Sequence, residues 1–153
     1  MYPKIVVAYD GSPESRNALH ECVLFAPARH AEIHLVGVVR FSEAFPMYGE
    51  SLTPHLALTE HKRQMALELR TGHAYLTEHG LKVIDHLEVG EPVEVIADVV
   101  RAVDAKLVIL GHSRHKSFAA RWWRSPVDAM LVDRIRCSVL VAADPEFEAP
   151  RRG

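Results

Sequence analysis

The sequence predicts an α/β protein with an open, doubly wound, five-stranded parallel sheet flanked by four helices. Five short apolar runs alternate with segments of helical periodicity along its 153 residues. Several runs are apolar on both faces, as parallel strands covered by helices must be. Strand–helix alternation with right-handed crossovers then places helices on both sides of the sheet. The predicted strands are Lys4–Tyr9, Ile33–Val39, Lys82–Leu87, Leu107–Leu110 and Ser138–Ala142.

The first helix has a clear start signal. Ser12 can cap it, and Pro13 suits the first helical position, which needs no backbone N–H. One face of this helix then carries Leu19, Cys22, Val23 and Ala26. The spacing therefore predicts a helix with one buried face and one solvated face.

The three later helices follow the same pattern. The second is predicted from about Thr53 to His79, with Gly72 at a point of close packing and Gly80 ending it. Its apolar stripe comprises Leu58, Met65, Leu69 and Leu76. The third is predicted from about Pro92 to Ala105, with Val93, Ile96, Ala97 and Val100 on one face. The fourth is predicted to start near Ser125, with Val127, Leu131 and Ile135 inward.

The chain length favours one domain, which we place at residues 1–143. Residues 40–52 lack a clear period and contain Pro46 and Gly49, so we expect a long mobile loop there. Residues 144–153 contain two prolines and two arginines near the end, and we expect them to be a flexible tail.

Composition argues against several function classes. The chain is 48% hydrophobic and 25% charged with a formal net charge of −2, which argues against a general binder of nucleic acids or anionic membranes. No apolar run approaches the roughly 18 residues of a membrane span, and the first residues do not resemble a signal peptide. We therefore expect a cytoplasmic protein, in which Cys22 and Cys137 are buried, reduced thiols.

Histidines are numerous but do not predict a metal site. Ten are scattered along the chain, and His112 and His115, three residues apart, are the closest pair. No cysteine or carboxylate completes a set of ligands beside them.

The carboxyl ends of the strands are the predicted ligand site. In open parallel sheets, ligands bind beyond these ends, where the strand order reverses. The ends here are Asp10-Gly11-Ser12, Val38-Val39-Arg40 and Gly111-His112.

Three stretches resemble the universal stress protein family. KIVVAYDGSPES is similar to the family's first strand and helix start, VGEPVEVIADVVRAVDAKLVILGHS to its third helix, fourth strand and loop, and CSVLVA to its last strand. The resemblance spans nearly the whole chain except residues 40–60 and the tail. It implies a Rossmann-like fold of the adenine nucleotide alpha hydrolase type and a cytosolic role in the stress response.

The resemblance also implies residues that would contact a nucleotide. Asp10 would meet the adenosine portion, while Ala8, Tyr9 and Val38 would border the base through backbone groups. An alternative role for Asp10 is capping the adjacent helix, which alone explains an aspartate there. The full implied set is Ala8, Tyr9, Asp10, Val38, Leu110, Gly111, His112, Arg114, Arg124, Ser125, Pro126 and Val127.

The phosphate-binding loop departs from the family's pattern. Members that bind ATP carry G-x-x-G, nine residues, then G-[S/T], so that bare backbone amides wrap the phosphates. After Gly111, strict spacing places Arg114 at the second glycine and Arg124-Ser125 at G-[S/T]. With one inserted residue, Ser125-Pro126-Val127 aligns with Gly-Ser-Val instead. A left-handed non-glycine residue costs about 1–2 kcal/mol, and an arginine side chain also obstructs the phosphate.

Other residues of this loop allow two interpretations each. Ser125, Pro126 and Asp128 form a good helix start without any ligand, and Pro126 lacks an amide donor. The cations Arg114, His115, Lys116, Arg121 and Arg124 either attract phosphate or form a solvated loop. Of Trp122 and Trp123, we expect one in the core and one covering the loop; contact with a partner or a base is the alternative.

The resulting functional hypothesis is a dimeric regulatory module with weak or no ATP binding. The resemblance implies that Ser138–Ala142 pairs with its copy in a homodimer, covering an apolar edge. Adenine nucleotides (ATP, ADP or AMP) are the expected ligands, with Mg²⁺ only alongside them, and protein partners are left open. The alternative is a genuine ATP binder with slow hydrolysis or a nucleotide-dependent switch.

Two other classes are not favoured. An enzyme would draw on Asp10, His112, His115 and Ser125, but no motif fixes a nucleophile and its base. Binding of nucleic acid or an acidic partner through Arg114 to Arg124 would show steep salt dependence.

Overall fold

The architecture is that of an open parallel α/β sheet. The structure, a computed structural model, describes residues 2–26, 30–40, 54–111 and 134–142. Its strands are β1 (Lys4–Ala8), β2 (Glu32–Val39), β3 (Lys82–Val89), β4 (Leu107–Gly111) and β5 (Ser138–Ala142). Within the described part, the helices are α1 (Pro13–Phe25), α2 (Pro54–Glu78) and α3 (Pro92–Val103).

The strand order is β3-β2-β1-β4-β5, and every neighbouring pair is parallel. From β1 the chain proceeds outward to β2 and β3, then crosses to the other side of β1 for β4 and β5. The strand order therefore reverses between β1 and β4. This confirms the doubly wound sheet that the alternation of elements predicts.

Helix α1 begins as its sequence predicts. The Ser12 side chain accepts a hydrogen bond from the Ser15 N–H at 3.2 Å, and Pro13 occupies the first turn. The helix ends where Ala26 turns to an extended conformation, while its N–H still donates to the Cys22 carbonyl at 2.8 Å. Local capping therefore fixes both ends of α1.

The other helix ends also follow from local chemistry. Gly80, with φ +81°, lies two residues after the end of α2, at the left-handed position that glycine favours. Asp104 takes the same role after α3, with φ 55°, and the next N–H, that of Ala105, donates to the Val100 carbonyl at 3.0 Å. The fourth predicted helix, starting near Ser125, lies outside the described residues except for its end.

Two apolar layers cover the two faces of the sheet. One packs α1 and α2 against Ile5, Val7, Ile33, Leu35 and Ile109; the other packs α3 against Val6, Ala8, Val36, Val108 and Leu110. Gly72 of α2 lies at a point of close packing, as predicted. A Cβ there would lie 2.9 Å from Cε1 of the Tyr9 ring.

The differences from the predicted elements are small. β3 continues two residues beyond Leu87 and β4 one beyond Leu110, because their ladders with β2 and β5 continue there. Cys22 is buried, which raises the pKa of its thiol to about 12, whereas Cys137 is only half-buried. The expected loop at 40–52, apart from Arg40, and the tail at 144–153 lie outside the described residues.

None of the helices in the described ranges combines the length and apolar character needed to cross a bilayer.

Candidate functional site

We call the carboxyl edge of the sheet between β1 and β4 the crevice, because the strand order reverses there. The β1–β4 ladder ends at the pair Val7 and Ile109. On the outer sides pairing continues further, since the Tyr9 N–H donates to the Val36 carbonyl at 2.9 Å and Gly111 pairs with Ala142. The two central strands therefore separate before they end. This is the switch point at which ligands bind in sheets of this kind.

Asp10 stands at the β1 side of the crevice and stabilises the start of α1. Its Oδ1 accepts a hydrogen bond from the Ser12 N–H at 2.9 Å, and its own N–H donates to Ser15 Oγ at 3.4 Å. Asp10 therefore supports the turn that leads into α1, whereas the capping hydrogen bond is that of Ser12 and not of Asp10. Its contact with a nucleotide stays a prediction, for which the second carboxylate oxygen, Oδ2, is the available acceptor.

The turn after Asp10 is covered by a side chain from α2. Gly11 has φ +83°, and a Cβ at this position would lie 2.2 Å from Oε2 of Glu68. The Gly11 carbonyl accepts a hydrogen bond from the Arg16 guanidinium at 3.1 Å. The Arg16 guanidinium therefore holds this turn, and its positive φ favours glycine; any other residue would also displace the Glu68 side chain.

Tyr9 contributes to the crevice through its backbone alone. Its ring is 2% exposed and lies under Gly72. Burial raises the pKa of the Tyr9 hydroxyl, Glu68 adds to this rise, and Arg16 opposes it. Because the Tyr9 N–H already donates to Val36, the predicted backbone contact with a base falls to the Tyr9 carbonyl.

Gly111 is required for packing at the other side of the crevice. A Cβ there would lie 2.1 Å from the Glu14 carbonyl oxygen and 2.9 Å from the Ser15 nitrogen. The first turn of α1 therefore lies directly against the end of β4. This contact explains the glycine without a phosphate, a role that the sequence pattern did not reveal.

The remaining predicted residues divide into two groups. Ala8, Val38 and Leu110 are at most 6% exposed, so only their backbones can meet a ligand. The structure thus brings Ala8, Tyr9, Asp10, Leu110 and Gly111 together around one opening, with Val38 near the end of the adjacent β2. His112, Arg114, Arg124, Ser125, Pro126 and Val127 lie outside the described residues.

The residues that the structure describes at this site suit a ligand group that is polar and uncharged and can donate hydrogen bonds. Asp10 and Glu68 supply carboxylate oxygens, which accept hydrogen bonds from hydroxyls. Arg16 is the cation beside them and contacts Gly11. In the four described ranges, no group of three or more His, Cys, Asp or Glu side chains is placed to hold a metal ion.

Sequence reasoning missed Glu68 and Arg16. Both side chains face solvent. The apolar periodicity of each helix predicts which residues are buried and says nothing about its exposed ones. Their approach to Gly11 depends on how α1 and α2 pack on the sheet. The sequence contains no local signal for that contact.

The chain matches known proteins over almost its entire length. The sequence model of the universal stress protein family matches residues 1–143. Universal stress protein E of Escherichia coli strain K12 is 26% identical over 96% of this chain but 48% of its own length, so this chain spans about half of that relative. A putative universal stress protein of Staphylococcus epidermidis is 29% identical over 95% of this chain and 87% of its own length.

Solved structures share the fold at low sequence identity. Hypothetical protein MJ0577 superposes with a TM-score of 0.77 at 20% identity, covering 96% of this chain and 99% of its own. A universal stress protein in complex with cAMP gives 0.65 at 22% identity, covering 93% and 97%. A family protein from Arabidopsis thaliana with AMP bound gives 0.62 at 18% identity, covering 97% of each chain. These likenesses establish the fold.

Proposed function

Because the chain belongs to the universal stress protein family, we propose that it is a cytosolic, homodimeric regulatory module that binds adenine nucleotides weakly and is not an enzyme. The observation that carries the proposal is the crevice between β1 and β4 with the Asp10 carboxylate at its rim. Structural relatives in complex with cAMP or AMP support adenine nucleotides as the ligand class.

Weak binding of the phosphate chain follows from residues 111–127. Both alignments of this loop lose two of the three family glycines, and Arg114 stands at one of them when strict spacing is kept. On the described side, the carboxylates of Asp10 and Glu68 oppose additional negative charge. We therefore propose the affinity order AMP above ADP above ATP, with Mg²⁺ bound only as the nucleotide complex.

The alternative function is a true ATP-binding module with slow hydrolysis or a nucleotide-dependent switch. The cations of the loop favour it, because arginine and lysine can hold phosphates without bare backbone amides. The two functions differ in their response to phosphate number. A genuine ATP binder gains affinity with each phosphate, whereas a protein whose phosphate-binding loop has lost its glycines does not.

Isothermal titration of the purified chain with AMP, ADP and ATP, with and without Mg²⁺, separates the two. Analysis of co-purified nucleotide and an assay for released phosphate complete the experiment. Submicromolar ATP affinity would overturn the proposed order, and turnover that is lost in Asp10→Ala would establish an enzyme instead.

The Asp10→Asn variant tests the adenosine contact. Asparagine keeps an oxygen acceptor for the Ser12 N–H but removes the charge, so α1 should keep its start. Loss of a hydrogen bond to a charged group predicts about tenfold weaker AMP binding. The control Ser12→Ala weakens the same helix start by about 1 kcal/mol without touching the carboxylate, and should leave AMP affinity unchanged.

The phosphate cradle is tested by restoring glycines. The double variant Arg114→Gly and Arg124→Gly should increase ATP affinity by about tenfold per relieved position. AMP affinity should change less, since AMP has a single phosphate. A fall in ATP affinity would show that these arginines hold phosphate, which supports the alternative function.

The proposed homodimer rests on β5. In the described ranges this strand ends the sheet, and Val141 on it is 42% exposed. An apolar edge strand is normally paired or covered, and a second copy of β5 would cover it. We propose no membrane or nucleic-acid partner, in keeping with the net charge of −2.

A further inference from the structure

Two histidines and an ion pair form a continuous array across β2 and β3, away from the crevice. Lys82 Nζ lies 2.6 Å from Glu32 Oε2, and His34 Nε2 lies 3.0 Å from Glu32 Oε1. The other ring nitrogen of His34, Nδ1, lies 2.8 Å from Nε2 of His86. His34 is only 3% exposed, so its ring nitrogens depend on these partners.

The contacts define where the protons are at neutral pH. Glu32 is an acceptor at both oxygens, so His34 must carry its proton on Nε2 and donate it to Glu32. The Nδ1 of His34 is then an acceptor, and His86 donates its Nε2–H to it. Every donor in the array faces an acceptor when both histidines are neutral.

The array can take up one proton but not two. A proton on Nδ1 of His86 leaves all three hydrogen bonds in place. With a second proton, His34 Nδ1–H and His86 Nε2–H are both donors that face each other across 2.8 Å. That hydrogen bond is then lost, and two like charges lie side by side. Double protonation of the array therefore costs both a hydrogen bond and the repulsion between the two rings.

Charges of both signs surround the two histidines. Lys4 of β1 and Lys82 of β3 oppose further protonation, whereas the Glu32 carboxylate favours it. Glu88 of β3 and Asp98 of α3 line the groove beside His86, and Asp98 is already paired with Arg101. Burial lowers the pKa of His34 most, and His86 and Lys4 lower it further, while Glu32 opposes them.

The array connects an edge strand to its neighbour. Among the described residues, β3 ends the sheet and pairs with β2 alone, over eight residue pairs from Glu32 and Lys82 to Val39 and Val89. His34 is level with Ile84, so His86 reaches it diagonally across the ladder. On this face β3 is thinly covered, because Ile84 is 37% exposed.

We propose that the Glu32–His34–His86 array is an acid-sensitive latch, which holds the edge strand β3 to β2 at neutral pH and loosens their pairing when both histidines are protonated. The unfolded pair binds two protons with ordinary values near 6.5, whereas the closed array binds one. Because the closed array binds one proton fewer than the open pair, opening becomes about tenfold more favourable for each pH unit below about 6.5.

Hydrogen exchange measured by mass spectrometry between pH 7.5 and pH 5 tests the latch. After correction for intrinsic exchange rates, the opening equilibrium of the β3 amides and the facing β2 amides should rise about tenfold per pH unit below about 6.5. Amides of β1 and β4 should stay better protected than those of β3 at every pH, because they exchange only in larger openings. β3 amides that are as well protected as those of β1 and β4 at pH 5, or that show no rise in opening with acid, would overturn the latch.

The variant His86→Gln removes the conflict between the two protons. A glutamine amide can donate to neutral His34 and, after rotating, accept from protonated His34. The tenfold rise in β3 opening per pH unit should therefore largely disappear. The matched control His73→Gln removes a histidine that contacts Asp85 of the same strand at 2.9 Å but faces a carboxylate, and the rise should persist there. Persistence in His86→Gln would contradict the proposal.

The unaltered protein offers a second measurement, which needs no variant to fold. ¹⁵N NMR of the imidazole rings should show His34 protonated at Nε2 and unprotonated at Nδ1 at pH 7.5. Between pH 7 and pH 5.5 the pair should gain one proton, not two. Uptake of two protons with unchanged β3 protection would exclude the latch.

Discussion

The two edges of the sheet are built differently. β3 is eight residues long and presents charged side chains, with Lys82 bonded to Glu32 at 2.6 Å and Asp85 to His73 at 2.9 Å. β5 has five residues, reads SVLVA and carries no charged side chain. Within the part of the chain that the structure describes, both strands have neighbours on one side only.

The difference shows how each edge avoids unwanted pairing. Charged side chains on an exposed edge discourage another strand from adding to it, and β3 uses this device. β5 does not, and Val141 leaves 42% of its surface exposed. The contrast favours β5 as the edge that a second subunit covers and β3 as the edge that stays free.

The largest expected effect is on the β4–β5 side, from Gly111→Ala. The new Cβ would lie 2.1 Å from the Glu14 carbonyl oxygen, so the backbone of α1 or β4 must move. Overpacking of this kind predicts a loss of about 3 kcal/mol in the free energy of unfolding. Urea denaturation measures it.

A glycine on the β3 side provides the matched control. Gly80 precedes β3 at φ +81°, and it needs its conformation more than its lack of a Cβ. Gly80→Ala should cost about 1 kcal/mol, the usual penalty for a left-handed alanine. Equal losses for the two variants would show that the contact with Glu14 does not constrain Gly111.

The next effect concerns subunit association. Val141→Lys places a charge on the proposed interface strand and should weaken the homodimer by about a hundredfold, because burying an unpaired ammonium is costly. Analytical ultracentrifugation gives the dissociation constant. Ile84→Lys, at a similarly exposed position on β3, should leave the dimer intact. If Ile84→Lys dissociated the dimer and Val141→Lys did not, the interface would lie on β3 and not on β5.

The sequence predicts that β3 and β5 are strands, but it does not predict which strands they pair with. The runs at Lys82 and Ser138 identify β3 and β5 because strand residues are recognisable locally. Ser12, Pro13 and Gly80 likewise mark the helix ends. Which strands form the edges depends on the order in which the strands pack, and alternation alone does not specify that order.

A smaller effect is expected from acid. The pKa of His34 is lowered in the folded protein, so the unfolded chain binds more protons below about pH 6.5 and stability falls as pH decreases. The free energy of unfolding should drop by about 1 kcal/mol between pH 7 and pH 5.5. Urea denaturation at the two pH values measures this drop, which His86→Gln should reduce. A free energy of unfolding that stayed constant between these two pH values would contradict a lowered pKa of His34 in the folded protein.

The smallest effect is expected from Lys82→Met. The Lys82 side chain is exposed, and its ion pair with Glu32 is screened by salt, so the urea midpoint should be unchanged within error. The Glu32 carboxyl, whose pKa Lys82 lowers, should titrate at a higher pH in the variant. A clear loss of stability would mean that the array depends on this lysine.

The candidate site was predicted in part. Asp10 and the strand ends at Tyr9 and Gly111 follow from the rule for parallel sheets. The contact of Glu68 with Gly11 and that of Gly111 with Glu14 come from helix packing. The contact of His34 with His86 depends on the register of two strands. Such contacts join distant parts of the chain and leave no local pattern.

The contact between Glu68 and Gly11 links α2 to the crevice. An anion that approached the amino terminus of α1 would repel the Glu68 carboxylate and favour displacement of that side chain or its helix. By reciprocity, any molecule that fixed α2 in place would lower the affinity of the crevice for that anion by the same factor. The outer surface of one helix and the interior of the cleft are thus thermodynamically coupled through a single carboxylate.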